Sequence, residues 1–256
     1  MRWISLSIWL ASWVTITIVT AIRMKRFRDN TAAKYFLFAC ISCILSNIYW
    51  FVHTIMRPDS RIPFAANEIA ENAIFLLLAS CLIKLFNGKP PRTSVVINAS
   101  VFAAANTALW IAWTGEYIKD IMCGACFGYF LCITAGAVDN TELLSKRQKA
   151  FFFVSTWSVI ALQSITLFTR SHLKDIADTV CYFLMAAVII VWFAVTRAEI
   201  RRQNADKSTA AAMMLFAWCD IVMYLSAEPM YFGAMLCSAA GIVLVLMSLL
   251  ITEDEK

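Results

Sequence analysis

Two pairs of carboxylates are the first residues here whose types and spacing could do chemistry. In "ANEIAENAIFLLLA" Glu68 and Glu71 stand three residues apart, and in "KDIADTVCYFLMA" Asp175 and Asp178 repeat the spacing. Residues three apart share one face of a helix, so each pair would present two acids side by side where an apolar run begins. Paired carboxylates suit a hard cation, an organic cation or a proton relay. A fifth acid, Asp220 in "FAWCDIVMYL", lies deep inside such a run. In lipid a carboxylate costs at least ~2.5–3.5 kcal/mol, so Asp220 must face the protein interior or a wet cavity.

Each of these acids also has a bland reading. Glu68, Glu116, Asp175 and Glu228 all fall where a helix would start, and the helix macrodipole favours negative charge there. That reading does less for Glu71 and Asp178, one turn deeper, and least for Asp220, where an interhelical hydrogen bond is the alternative to a cation or proton role.

Two histidines could complete an outer vestibule with Glu71, Asp178 and Asp220: His53 ahead of Arg57, and His172 just before "LKD". Imidazole with carboxylate suits a transition metal. Neither His-x-x-x-His nor Glu-x-x-His occurs, however, so no metal and no other cofactor is expected. "CISC" (Cys40, Cys43) and "CGAC" (Cys123, Cys126) have redox or zinc spacing. Both fall inside apolar runs, and by position on opposite halves of a bilayer, where cysteine packs as a small apolar residue. Gly-x-Ser-x-Gly, His-Glu-x-x-His and Gly-x-x-x-x-Gly-Lys are missing, so the commonest nucleophile, zinc and nucleotide sites have no support.

The elements that must hold these residues follow from composition. Of 256 residues 61% are hydrophobic, 15% are charged and only 7 are glycine, too apolar for an ordinary soluble domain. The apolar blocks run to about 20 residues, the length a helix needs to cross a hydrocarbon core of ~30 Å. They predict an all-α polytopic transmembrane bundle of about nine spans, at 3–22, 35–56, 64–86, 94–114, 118–138, 150–169, 175–196, 208–226 and 229–251. The first is expected to be a retained helix, because its positive cluster follows the apolar run. Spans eight and nine, joined only by "SAEP", could also be a re-entrant pair.

Charge gives an orientation. With the N-terminus extracytoplasmic and the C-terminus cytoplasmic, 16 of the 22 Lys and Arg fall on the cytoplasmic side, as the positive-inside rule requires. The net charge of +5 therefore reflects topology and calls for no nucleic-acid partner.

The chain also looks duplicated. Glu68 and Glu71 align with Asp175 and Asp178, Glu116 with Glu228, Cys126 with Cys237, and "TELL" at 141 with "TEDE" at 252. One membrane domain, 1–256, would then hold a leading helix (3–22) and two parallel four-span repeats, 35–138 and 150–251. Transporters with such repeats place the solute site where the halves meet.

Together these features lead to a multi-pass protein of a cell (inner) membrane that binds and translocates a small solute or ion through a cavity open to the outside. Its expected site residues are Glu71, Asp178 and Asp220, with Glu68, Asp175, His53 and His172 at the entrance. Two other functions compete: a small-molecule sensor signalling to a cytoplasmic protein through the basic segment 197–207 or the acidic tail, and an intramembrane enzyme acting on a lipid or quinone. The bilayer is the one certain partner of such a chain, and its apolar faces suit an oligomer as well as a monomer.

Overall fold

The computed structural model describes residues 2–24, 31–56, 66–85, 90–140, 145–169, 172–225 and 228–251. Several features of the sequence lie outside these residues: Arg57, segment 25–30, "TELL" at 141–144, Ser226, Ala227 and the acidic tail 252–256. Among the described residues the chain is all-helical, without strands. The helices are α1 (Arg2–Met24), α2 (Thr31–Met56), α3 (Ala66–Leu85), α4 (Thr93–Thr114), α5 (Tyr117–Asp139), α6 (Lys146–Phe168), α7 (His172–Arg201), α8 (Ala205–Leu225) and α9 (Glu228–Ile251). They lie over the nine apolar blocks of the sequence.

Six of them carry stretches long and apolar enough to cross a membrane: Leu6–Arg23, Thr31–His53, Thr93–Thr114, Tyr117–Asp139, His172–Arg201 and Phe232–Leu250. The other three each hold three charged residues: Glu68, Glu71 and Lys84 in α3; Lys146, Arg147 and Lys149 in α6; Asp206, Lys207 and Asp220 in α8. Large apolar side chains cover the outside of the bundle, with Ile4, Phe38, Leu45, Phe183 and Ile190 all more than half exposed. Contiguous apolar surface of this kind is avoided by soluble monomers and fits a membrane-embedded protein with several spans.

Neighbours in sequence pack as hairpins, α2 on α3, α4 on α5, α6 on α7 and α8 on α9, while α1 lies against α2 and α9. Small residues let two of these helices meet closely. A Cβ on Gly124 of α5 would stand 1.8 Å from Thr107 Oγ1 of α4, and one on Gly128 would stand 2.7 Å from Ala103 Cβ. The turn between these helices is set by Gly115, whose φ of 74° is left-handed and whose N–H caps α4 on the Ile111 carbonyl at 2.8 Å. Glycine takes that conformation without a Cβ penalty.

At the centre is α8, which meets α9, α7 and α5 and also touches α3, α4 and α6. Every residue from Ser208 to Val222 is buried. Its run "AAAMMLFAWC" explains this, since a helix apolar on all faces has no side suited to water. Midway along the bundle, rings from five helices make a layer. Phe75 packs on Phe127 (5.5 Å between centroids) and Phe130 (5.9 Å), Trp110 packs on Phe127 (5.8 Å), and Phe216 meets Phe130 and Trp13 (both 6.3 Å). Edge-to-face and offset pairs at these separations are favourable.

Candidate functional site

One turn from that aromatic layer, toward the end of the bundle where α1 begins, lies a buried polar cluster formed by α2, α3, α5 and α8. Helical spacing builds it: Glu71 precedes Phe75 by four residues, Cys123 precedes Phe127 by four, and Asp220 follows Phe216 by four. The rings therefore floor the cluster.

Asp220 is 8% exposed, and its Oδ2 has no hydrogen-bond partner among the described residues. Glu71 of α3 is the carboxylate within electrostatic reach of it. Ser46 of α2 donates its hydroxyl hydrogen to Glu71 Oε1 at 3.3 Å. One position further along α2, Asn47 donates to the Cys43 carbonyl at 2.7 Å and to its Sγ at 3.1 Å. Asn67, one turn outward from Glu71 on the same face of α3, is 3% exposed, and its Oδ1 has no hydrogen-bond partner among the described residues. The same is true of both amide atoms of Asn72, 7% exposed.

The second half of the cluster is an ion-pair network. Glu68 is 1% exposed and lies 3.4 Å from the Lys119 ammonium of α5, which also meets Glu116 at 3.1 Å. A buried carboxylate persists only when paired or well hydrogen-bonded, and Lys119 supplies that pairing. The start of α5 is fastened by Thr114, whose hydroxyl bonds the Asp120 carboxylate and accepts the Glu116 N–H at 3.0 Å.

Of the seven residues expected from the sequence, Glu68, Glu71 and Asp220 are brought together here. Asp178 sits half-buried on α7, one turn from Cys181, which feels its charge. Asp175 and His172 are highly exposed on the first turn of α7, 3.9 Å apart. His53 is half-buried near the end of α2, stacked on Tyr49 with centroids 6.3 Å apart. Glu68 and Asp175 do occupy first turns, Glu116 immediately precedes α5, and Glu228 opens α9.

The two Cys-x-x-Cys motifs depart from expectation. Instead of staying apart, each contributes one thiol, Cys43 and Cys123, within electrostatic reach of both Glu71 and Asp220. Ser46 of α2 meets Glu71 of α3, which brings Cys43, three residues before Ser46 on the same helix, to the level of the cluster. All nine cysteines are free thiols. Among the described residues, no group of three or more His, Cys, Asp or Glu is placed to hold a metal.

Lys119 and Ser46 were not among the residues expected from the sequence. The Glu116-x-x-Lys119 spacing was a usable signal for the first, because residues three apart pair on a helix; Ser46 had none. Comparison with family models, curated proteins and solved structures gives no match.

Proposed function

We propose that this chain is a nine-span membrane protein that takes up a small monovalent cation, an alkali ion or a proton, from the extracytoplasmic side and carries it across. Asp220 and Glu71 would form the binding site. The observation that carries this reading is the buried Asp220 carboxylate, with one oxygen lacking a hydrogen-bond partner among the described residues, beside Glu71 on the most enclosed helix of the bundle. Ionisable groups at such depth mark ion and proton pathways.

Several further features support it. α3, α6 and α8 are not among the six long apolar helices, but α8 is sheathed by its neighbours and needs no lipid-compatible surface. Sequence neighbours pair as α2–α3, α4–α5, α6–α7 and α8–α9, and α3–α5 contact has a counterpart in α7–α9, although the close α7–α8 packing has none between α3 and α4; the sequence duplication remains the ground for two four-helix repeats. Glu71 then comes from the first half and Asp220 from the second, at the junction where repeat transporters bind their solutes. Excess Lys and Arg at the opposite end favours an extracytoplasmic placement of the cluster.

The test is flux in proteoliposomes holding the purified full chain under a potassium diffusion potential, with 22Na+ and entrapped pyranine as probes for the two cations. The wild type moves one of them, and Asp220→Asn lowers the rate by about tenfold or more, as expected for loss of an intramembrane acid. A wild type that moves neither, or an Asp220→Asn protein as fast as wild type, refutes the proposal.

A further inference from the structure

A second buried acid stands near the opposite end of the central helix, where α7 turns into α8. Glu199 lies in the last turn of α7 and is 3% exposed. The helix dipole gives no reason for it, because negative charge is disfavoured at a helix C-terminus. Arg202 donates from Nη1 to Glu199 Oε1 at 3.0 Å, yet the Arg202 side chain is 72% exposed. The counter-ion thus reaches in from water. The other oxygen, Oε2, is buried without a hydrogen-bond partner among the described residues.

The backbone around Glu199 is tightly folded. Gln203 takes a left-handed φ of 57°, and the Asn204 N–H returns to the Glu199 carbonyl at 3.0 Å, turning the chain straight into α8. Hydroxyls gather at this end of the bundle. Thr196, Ser208, Thr209 and Ser248 are all fully buried, and Thr209 is hydrogen-bonded to Ser248 across α8 and α9.

Between Thr209 and Asp220 lie only Ala, Met, Leu, Phe, Trp and Cys, a distance of about 16 Å along the helix. The central helix is therefore polar at both ends and apolar in the middle, and near each end stands a buried acid with one oxygen left over. A carrier needs a station facing each side, separated by a barrier.

We propose that Glu199 is the second cation station, on the cytoplasmic side, where an arriving cation displaces Arg202 before release. This rests on the transport reading above and extends it. One carboxylate already shared with an arginine can balance a single positive charge, and oxygen donors suit an alkali ion or a proton over a soft metal.

The test uses the full chain in oriented vesicles, with whichever of 22Na+ or pyranine reports wild-type flux. Glu199→Gln should lower flux about tenfold, the effect of deleting a buried charge site, while half-saturation from the α1-start side stays at the wild-type value. Arg202→Gln, at an exposed side chain, should lower the half-saturating concentration on the cytoplasmic side by about threefold, the fold-change an exposed ion pair is worth. Wild-type flux through Glu199→Gln overturns the inner station, and it overturns that station alone when Asp220→Asn is slowed as expected above. If Glu199→Gln does not fold, an unchanged cytoplasmic half-saturation in Arg202→Gln overturns it equally. No wild-type flux with either probe removes both readings.

Discussion

Replacing Lys119 by methionine isolates the electrostatics of the site from its function. The ammonium lies 3.4 Å from Glu68, which is 1% exposed, and 3.1 Å from Glu116, while the Lys119 side chain is itself 20% exposed. Breaking a buried ion pair by removing one partner costs ~3–5 kcal/mol, because the other charge is left in a medium that cannot solvate it. Access of water to Lys119 screens the pair, so the low end, about 3 kcal/mol, is expected. For a chain of this size that lowers the melting temperature by about 6–12 °C. The assay is intrinsic tryptophan fluorescence of detergent-solubilised protein, heated at one fixed scan rate for every variant, because irreversible unfolding makes the midpoint rate-dependent. Glu68→Gln combined with Lys119→Met removes both charges and should recover most of the loss, since contacting residues are not additive. A Lys119→Met midpoint within about 2 °C of wild type, or a double variant no more stable than the single, refutes the idea that Lys119 holds Glu68 in the bundle.

Three more outcomes follow. Asp220→Asn should melt no lower than wild type while losing flux, because it replaces a buried carboxyl that lacks a full set of partners by an amide of nearly the same shape; a large drop in midpoint would make Asp220 a structural residue. Gly124→Ala should destabilise by about 1–3 kcal/mol through overpacking, and Thr107→Ala should relieve it, since the new Cβ would stand 1.8 Å from Thr107 Oγ1; equal stability with and without Thr107→Ala counts against that contact. His172→Cys, at an 86% exposed side chain, should react with an impermeant maleimide in intact cells and Arg201→Cys should not; the reverse pattern inverts the orientation.

The helices were legible because their signal is local. Blocks of about 20 apolar residues leave few alternatives once a lipid-length run is present, so the helical positions could be read from the sequence without contacts. The start-of-helix acids were legible for the same reason, as each depends only on its own helix end. What composition could not say is which helix goes in the middle. α8 is no more apolar than α9, yet α8 is enclosed by six neighbours while α9 turns Val243 and Met247 outward.

The site divides along the same line. That a helix-end role accounts less well for Glu71, and least for Asp220, is written in the chain, because depth follows from position within an apolar run. That Glu71 comes within electrostatic reach of Asp220 is not, because apolar lengths of helix carry no record of which faces will be apposed. Nor could the sequence place Ser46 beside Glu71, since the stagger of one helix against another is set by their packing. By itself the sequence determined the helices, their apolar character and the rarity of the buried charges, all of them properties of a single segment in its solvent. Only the tertiary structure decided the central position of α8, the pairing of Glu68 with Lys119 and the electrostatic reach of Glu71 to Asp220, because each is a relation between segments, fixed by the packing of side chains far apart in the chain.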